Sequence, residues 1–180
     1  MLSQMKYRKI KEAELKRELF FDFHRRQTVV KCWRRERGEW VIRDAPFIDD
    51  WTDQDYVFLV ACLKRTLQTG GVVFGAFDAQ DCLKGFTSVE GKRFGSRQEY
   101  LDLTSLHVSE ELRGKGYGTQ LFRLAAEWAK GQGAEKLYIS SHSAVETQAF
   151  YRAVGCREAQ EYNAEHVEQE PFDCQLEYVL

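Results

Sequence analysis

The chain has no apolar run near the roughly 18 residues that a membrane-spanning helix needs. Its first stretch, MLSQMKYRKIKEAELKRELF, is laced with charge and lacks the apolar centre of a secretory signal. The cysteines Cys32, Cys62, Cys82, Cys156 and Cys174 are odd in number and scattered, without a C-x-x-C pair. Reduced core thiols in a cytoplasmic protein are therefore expected. His24, His107, His142 and His166 are equally dispersed, and no metal-ligand spacing is present. No G-x-x-x-x-G-K-[ST] phosphate loop occurs. Proline is scarce, with Pro46 and Pro171 both falling in expected loops. A strong excess of either charge is also missing: the formal net charge is −2. Together with the lack of a basic-aromatic motif, that argues against a nucleic-acid partner.

What is present is an ordinary globular composition, 43% hydrophobic and 30% charged over 180 residues, which suits one domain over 1–180. Charge is unevenly spread. Met1–Arg37 holds 12 Lys/Arg against 5 Asp/Glu, whereas Arg157–Leu180 holds 7 Asp/Glu and a single Arg. Solvated surface is the plain reading of both ends; an acidic end that attracts a cationic amine and a basic end that touches a phosphate-bearing partner are the sharper ones.

Pattern predicts a short strand over Met5–Ile10 and a helix over Lys11–Arg26, with Leu15, Leu19, Phe20 and Phe23 on one face. Thr28–Arg34 and Glu39–Arg43 read as two strands around Gly38, and Asp44–Asp50 as a loop. Thr52-Asp53-Gln54-Asp55 has the form of a capping box opening a helix to about Thr69, with Tyr56, Leu59, Val60, Leu63 and Leu67 inward. Val72–Phe77 and Leu83–Val89 make a hairpin. Lys136–Ser141 is a strand and Val145–Ala153 a helix stopped by Gly155. Gln160–Asn163 is expected to begin another strand, and Asp173–Leu180 to form the last. The order of elements points to an α/β fold layered around a central mixed sheet.

The most informative stretch is Tyr100–Gly131. A strand, YLDLTSLHV, leads through a polar turn to RGKGYG (Arg113–Gly118) and then to an amphipathic helix with Leu121, Phe122, Ala125, Trp128 and Ala129 on one stripe. Glycines let the backbone approach a ligand, and the N–H groups of the helix start favour an anion. Arg113 and Lys115 add positive charge there. The arrangement suits a pyrophosphate. It is not the dinucleotide fingerprint G-x-G-x-x-G, because the third glycine, Gly118, comes one residue early.

Arg113, Gly116 and Gly118 do fill R/Q-x-x-G-x-G/A, after a strand ending Leu106-x-Val108. In this the chain resembles the GCN5-related N-acetyltransferase (GNAT) family over most of its length. The resemblance implies a mixed, mostly antiparallel sheet flanked by helices, with the Thr28–Arg43 hairpin as an N-terminal addition and a cofactor-binding core at about 100–156. It implies acetyl-CoA as co-substrate. The backbone of Leu106, His107 and Val108 would run along the pantetheine, at a strand end splayed from its neighbour. Leu106 N–H would meet the thioester oxygen, and Arg113, Gly114, Lys115, Gly116, Tyr117, Gly118 and Thr119 would hold the pyrophosphate.

The resemblance also implies Tyr151 as general acid, since Phe150, Tyr151 and Gly155 match the family pattern while Cys156 replaces an aromatic. A family Asn falls on Ala144, which leaves its cofactor contact to Ser143 or Thr147. Asp102 occupies the position of the catalytic Glu of the histone-acetylating branch, with His142 as rival base and direct loss of the proton to water as a third route. Strict alternation would put Asp102, Thr104, Leu106 and Val108 on one side. The acceptor site is expected among Trp33, Trp40, Trp51 and the acidic Glu161, Glu165, Glu168, Glu170 and Asp173, which suit a small-molecule or peptide amine. The implied reaction is direct attack of a primary amine on acetyl-CoA in a ternary complex, by a monomer or homodimer. A non-catalytic acyl-CoA-binding module is the alternative.

Overall fold

The computed structural model describes residues 4–180. Its strands are β1 (Lys6–Lys9), β2 (Arg26–Glu36), β3 (Glu39–Asp50), β4 (Val72–Phe77), β5 (Leu83–Val89), β6 (Tyr100–Val108), β7 (Lys136–Ser141), β8 (Arg157–Glu158) and β9 (Cys174–Val179). The α-helices are α1 (Asp53–Gln68), α2 (Tyr117–Gly131), α3 (Val145–Val154) and α4 (Ala164–Gln169). A seven-stranded sheet runs β1-β4-β5-β6-β7-β9-β8, and β2 and β3 make a separate hairpin. Every pair in the large sheet is antiparallel except β6 with β7.

Alternation along the strands sends apolar side chains to both faces. On one face Leu101, Leu103, Leu137 and Ile139 pack against Leu121, Phe122, Ala125 and Ala129 of α2. On the other, Val73 and Phe86 pack against Phe20, Phe23, Tyr56 and Leu63. Burying each large apolar side chain stabilises the fold by about 1.5–3 kcal/mol. The capping box forms as expected: Thr52 N–H donates to Asp55 Oδ2 at 2.7 Å and Asp55 N–H to Thr52 Oγ1 at 3.3 Å. Gly155, with φ 107°, ends α3.

Three expectations are corrected. Lys11–Arg26 is not an α-helix but two 3-10 turns, Glu12–Glu14 and Arg17–Phe20, followed by the start of β2. Ile10, Leu15, Phe20 and Phe23 all enter one core, and their uneven spacing does not fit a single helical stripe. Asp44–Asp50 is strand rather than loop, extending β3 to twelve residues. Pro46 is tolerated because the register slips between Val29 and Lys31, so it falls at a bulge and forfeits no ladder bond. Gln160–Asn163 does not open a strand; Asn163 instead caps α4, its Oδ1 accepting from His166 N–H at 3.1 Å.

The hairpin docks on the start of α3. Trp33 N–H donates to Ser143 O at 2.8 Å, Cys32 bridges to Ala144, and Val29, Cys32 and Ala144 form a small core of their own.

Candidate active site

The site begins where the two parallel strands part. β6 and β7 pair at Tyr100–Lys136, Leu101–Leu137 and Asp102–Tyr138, and no further. Beyond this point a cavity of ≈ 670 Å³ opens between them. Leu103, Thr104, Ser105, Leu106, His107 and Val108 line it from β6, and Ile139, Ser140 and Ser141 from β7. The two facing strand edges have no ladder partner there, which leaves backbone groups for an extended ligand. Thr147, Phe150 and Tyr151 of α3 form another wall.

The far end of the cavity is the start of α2. Gly116 (φ 88°) precedes the first helical residue, and Gly114 also has positive φ, 75°. A Cβ on either would meet no protein atom within 4 Å, so the glycines serve backbone conformation and leave room on the cavity side. Gly118 differs: a Cβ there would come 3.3 Å from Phe150. The first intrahelical bond runs from Gln120 N–H to Gly116 O, and no side chain caps the helix. Among the described residues, the N–H groups of Tyr117, Gly118 and Thr119 have no acceptor. Three aligned donors at a positive helix end make an anion cradle. Arg113 stands beside it, its Nε donating to Val108 O at 3.2 Å.

Tyr151 is buried, with its ring against Phe150 and Phe122 at 5.2 and 6.4 Å. Burial, helped by nearby Cys156 and Asp173, raises its phenol above the ordinary value. His107 is held neutral. Burial first, then the charges of Arg25 and Arg113, push it down to about 3. Its Nδ1 accepts from Arg25 Nε at 3.2 Å, and its ring packs on Trp51 at 4.8 Å.

Asp102 sits at the last paired position of β6, just before the strands separate, and outside the cavity wall. Its Oδ2 lies 2.6 Å from His166 Nε2, and its Oδ1 is buried without a partner. It does not face the way Leu106 does. Thr104 is an extra residue in β6, because Ser105 pairs with Ser88 and Leu103 with Val89. This bulge puts Leu101, Leu103, Leu106 and Val108 all in the α2-side core. Asp102 and His107 then point to the opposite face.

The model of the Acetyltransferase (GNAT) family matches residues 15–156. The chain belongs to the GNAT family. Among curated proteins, an uncharacterized N-acetyltransferase, YobR of Bacillus subtilis (strain 168), is 50% identical over 40 residues, 22% of this chain and 16% of that protein. The chain thus spans a small part of that relative's length. Among solved structures, a Bacillus anthracis str. Ames protein named for streptothricin acetylation, in complex with acetyl coenzyme A, superposes with TM-score 0.72 at 14% identity, covering 98% of each chain. Nourseothricin acetyltransferase gives 0.66 at 18% identity, covering 96% of this chain and 95% of its own. The PaiA N-acetyltransferase of Thermoplasma acidophilum, in complex with coenzyme A, gives 0.59 at 16%, covering 98% and 99%. These structural likenesses establish the fold. Acetyl-CoA is the co-substrate of this family, and the glycine cradle fits its pyrophosphate.

Several residues of this GNAT chain stand elsewhere than expected. Lys115 and Ser143 lie outside the cavity wall, and Ser143 Oγ accepts from Arg34 at 2.7 Å. Thr147, the other candidate, lines the cavity. His142 also lines it, but its Nδ1 accepts from Ala144 N–H at 3.0 Å. Trp33 and Trp40 line a separate cavity of ≈ 410 Å³ with Arg152 and Arg157 and do not line the opening between β6 and β7. Trp51 stays near the site through His107. Glu161 accepts from Ser96, whereas Asp173 Oδ2 accepts from Ser140 Oγ at 3.1 Å, at the cavity's edge. Sequence reasoning missed Arg25, just before β2, and Gln27, near the start of that strand, both of which line the cavity. It also missed the His166–Asp102 pair. No spacing signals either, because 82 residues separate Arg25 from His107 and 64 separate His166 from Asp102.

Among the described residues, no helix is long and apolar enough to cross a membrane.

Proposed function

We propose that this protein moves an acetyl group from acetyl-CoA to the primary amine of a small cationic acceptor, by direct attack in a ternary complex. The observation that carries the reading is the opening between β6 and β7, which runs from the last paired residues to the free N–H groups of α2. The pyrophosphate would sit on Gly114–Thr119 beside Arg113, and the pantetheine would run along Leu106, His107 and Val108. The Leu106 N–H would stabilise the oxygen on which charge develops, an effect worth about 2.7–4 kcal/mol for such donors.

Tyr151 is the proton donor. As the amine adds to the thioester carbon, the C–N bond forms and the C–S bond breaks. The leaving sulfur takes the Tyr151 proton, and the second amine proton restores the phenol. Its raised pKa keeps the phenol protonated at neutral pH, ready for this step. The carboxylates of Glu165, Glu168, Glu170 and Asp173 on α4 and its following turn favour a cationic acceptor.

The test has two arms. Melting temperature is measured with acetyl-CoA, CoA, NAD and GTP; a ligand at 100 times its Kd should add about 2.7 kcal/mol of stability. Thiol release is then followed with spermidine, streptothricin and a peptide with a free N-terminus. Stabilisation by acetyl-CoA with turnover of a cationic amine is the expected result. Stabilisation without any turnover favours a binding module, and stabilisation by NAD or GTP but not CoA refutes the cradle.

A further inference from the structure

We infer that His166 is the group that takes the proton from the incoming amine, and that Asp102 is its positioning residue. The inference rests on the acetyl-transfer reading above and adds the base to it. Asp102 and His166 come from opposite ends of the fold. β6 delivers Asp102 at the apex of the strand opening, and α4, capped by Asn163, delivers His166. Their contact, Oδ2 to Nε2 at 2.6 Å, is the short bond expected when one partner is charged.

A carboxylate cannot donate, so Nε2 carries the proton and the Nδ1 lone pair is the basic position. Nδ1 makes no hydrogen bond among the described residues. The ring is fixed by stacking on Tyr138, centroids 5.8 Å apart and 12° from parallel. Tyr138 is itself the β7 partner of Asp102 at the last paired position. Orientation by a carboxylate, a locked ring and a free second nitrogen are what a histidine base requires.

The pair stands on the side of the sheet away from α2, opposite Tyr151, next to the last paired residues of β6 and β7. In the reaction an R–NH3+ gives one proton to Nδ1, and R–NH2 attacks the thioester carbon. The imidazolium, held by Asp102, later releases its proton to solvent. The groups facing His166 are Asp102 from β6, Tyr138 from β7, Asp173 ahead of β9 and Glu165 of its own helix. The bond to Asp102 raises the His166 pKa against the opposing effect of burial. Activity should therefore rise with pH through a limb above the ordinary histidine range.

The experiment compares wild type, His166→Gln and Asp102→Asn over pH 5 to about 9.5. Thiol release with acetyl-CoA and spermidine or streptothricin gives the rates. Ring 13C–1H NMR follows the His166 titration, identified by its absence in His166→Gln. We expect His166→Gln to lose about a hundredfold or more in kcat and to lose the limb, with acetyl-CoA stabilisation unchanged. Asp102→Asn should move both the limb and the ring titration to lower pH. A His166→Gln enzyme within threefold of wild type, or a limb that Asp102→Asn leaves in place, overturns the assignment. So does a loss of rate matched by loss of acetyl-CoA binding or of folding, which would make the pair structural. If wild type neither binds acetyl-CoA nor turns over, the acetyl-transfer reading fails and the base role with it. The ring titration still reports separately whether the pair is coupled.

Discussion

Tyr151→Phe removes one oxygen and should separate chemistry from structure. The ring keeps its contacts with Phe150 and Phe122, and among the described residues the hydroxyl makes no hydrogen bond that its loss would leave unpaired. The stability change should therefore stay below about 1 kcal/mol. The cradle at α2 is untouched, so acetyl-CoA should raise the melting temperature of both forms equally. On the proposed mechanism, what disappears is the proton donor for the thiolate. General-acid catalysis contributes roughly 10²–10⁴ in rate, or about 2.7–5.4 kcal/mol of barrier. Thiol release at saturating acetyl-CoA measures kcat directly. Because burial raises the phenol above its ordinary value, Tyr151 stays protonated through the alkaline range and sets no limb below about pH 10. The variant should then trace the wild-type pH profile at a lower level. A kcat within threefold of wild type, or a fall matched by lost acetyl-CoA affinity, would refute the acid role.

Gly116→Ala should cost about 1–2 kcal/mol for a left-handed residue at φ 88°. It should also weaken acetyl-CoA binding at least tenfold by thermal shift, since its Cβ would project into space free of protein atoms. Glu177 has a fully buried side chain that pairs with Lys136 at 3.2 Å and Arg157 at 3.0 Å and accepts from Tyr100 Oη at 2.5 Å. Glu177→Gln should lose about 3–5 kcal/mol in denaturant unfolding, because Lys136 is left buried without its partner. These hydrogen bonds hold the Glu177 pKa below the ordinary carboxylate value, against burial. Its contribution is then present above the unfolded Glu pKa and lost as pH falls through the folded one, so wild type should lose more stability on acidification than the Gln variant. Thr52→Ala should cost about 1 kcal/mol of stability by opening the cap of α1, with no change in acetyl-CoA binding.

Local chemistry written in consecutive residues was legible. Val72–Phe77 and Leu83–Val89 pair as a hairpin, Thr52 and Asp55 cap α1, and Gly114 and Gly116 adopt the positive φ that a glycine turn provides. What escaped depends on tertiary contact. Leu15 follows the first 3-10 turn and Phe20 ends the second, because the core beneath α1 takes their side chains, and helical periodicity cannot register that pull. The second half of β3 reads as loop because DAPFIDD is poor in alternation and holds a proline, yet pairing with Arg26–Val29 carries it. Arg25 enters the site only because the chain turns from Phe23 into β2 beside His107.

The bulge at Thr104 shows how one residue can invert a mechanistic reading. Strict alternation makes Asp102 and Leu106 neighbours on one face, with a carboxylate pointing toward α2. One extra residue between Leu103 and Ser105 breaks that parity. Leu101 and Leu103 before the bulge then share a face with Leu106 and Val108 after it, while Asp102 crosses to the side of His107. Composition cannot reveal this, because a threonine suits both a bulge and a regular strand. The consequence is chemical. Tyr151 belongs to the α2-side core, and the Asp102–His166 pair belongs to the other side. A thioester lying in the opening between β6 and β7 would meet a proton donor for its sulfur on one face. An amine stripped of its proton would arrive from the other. With an unbulged β6 both groups would crowd the same face, and the amine and the leaving thiolate would compete for one space.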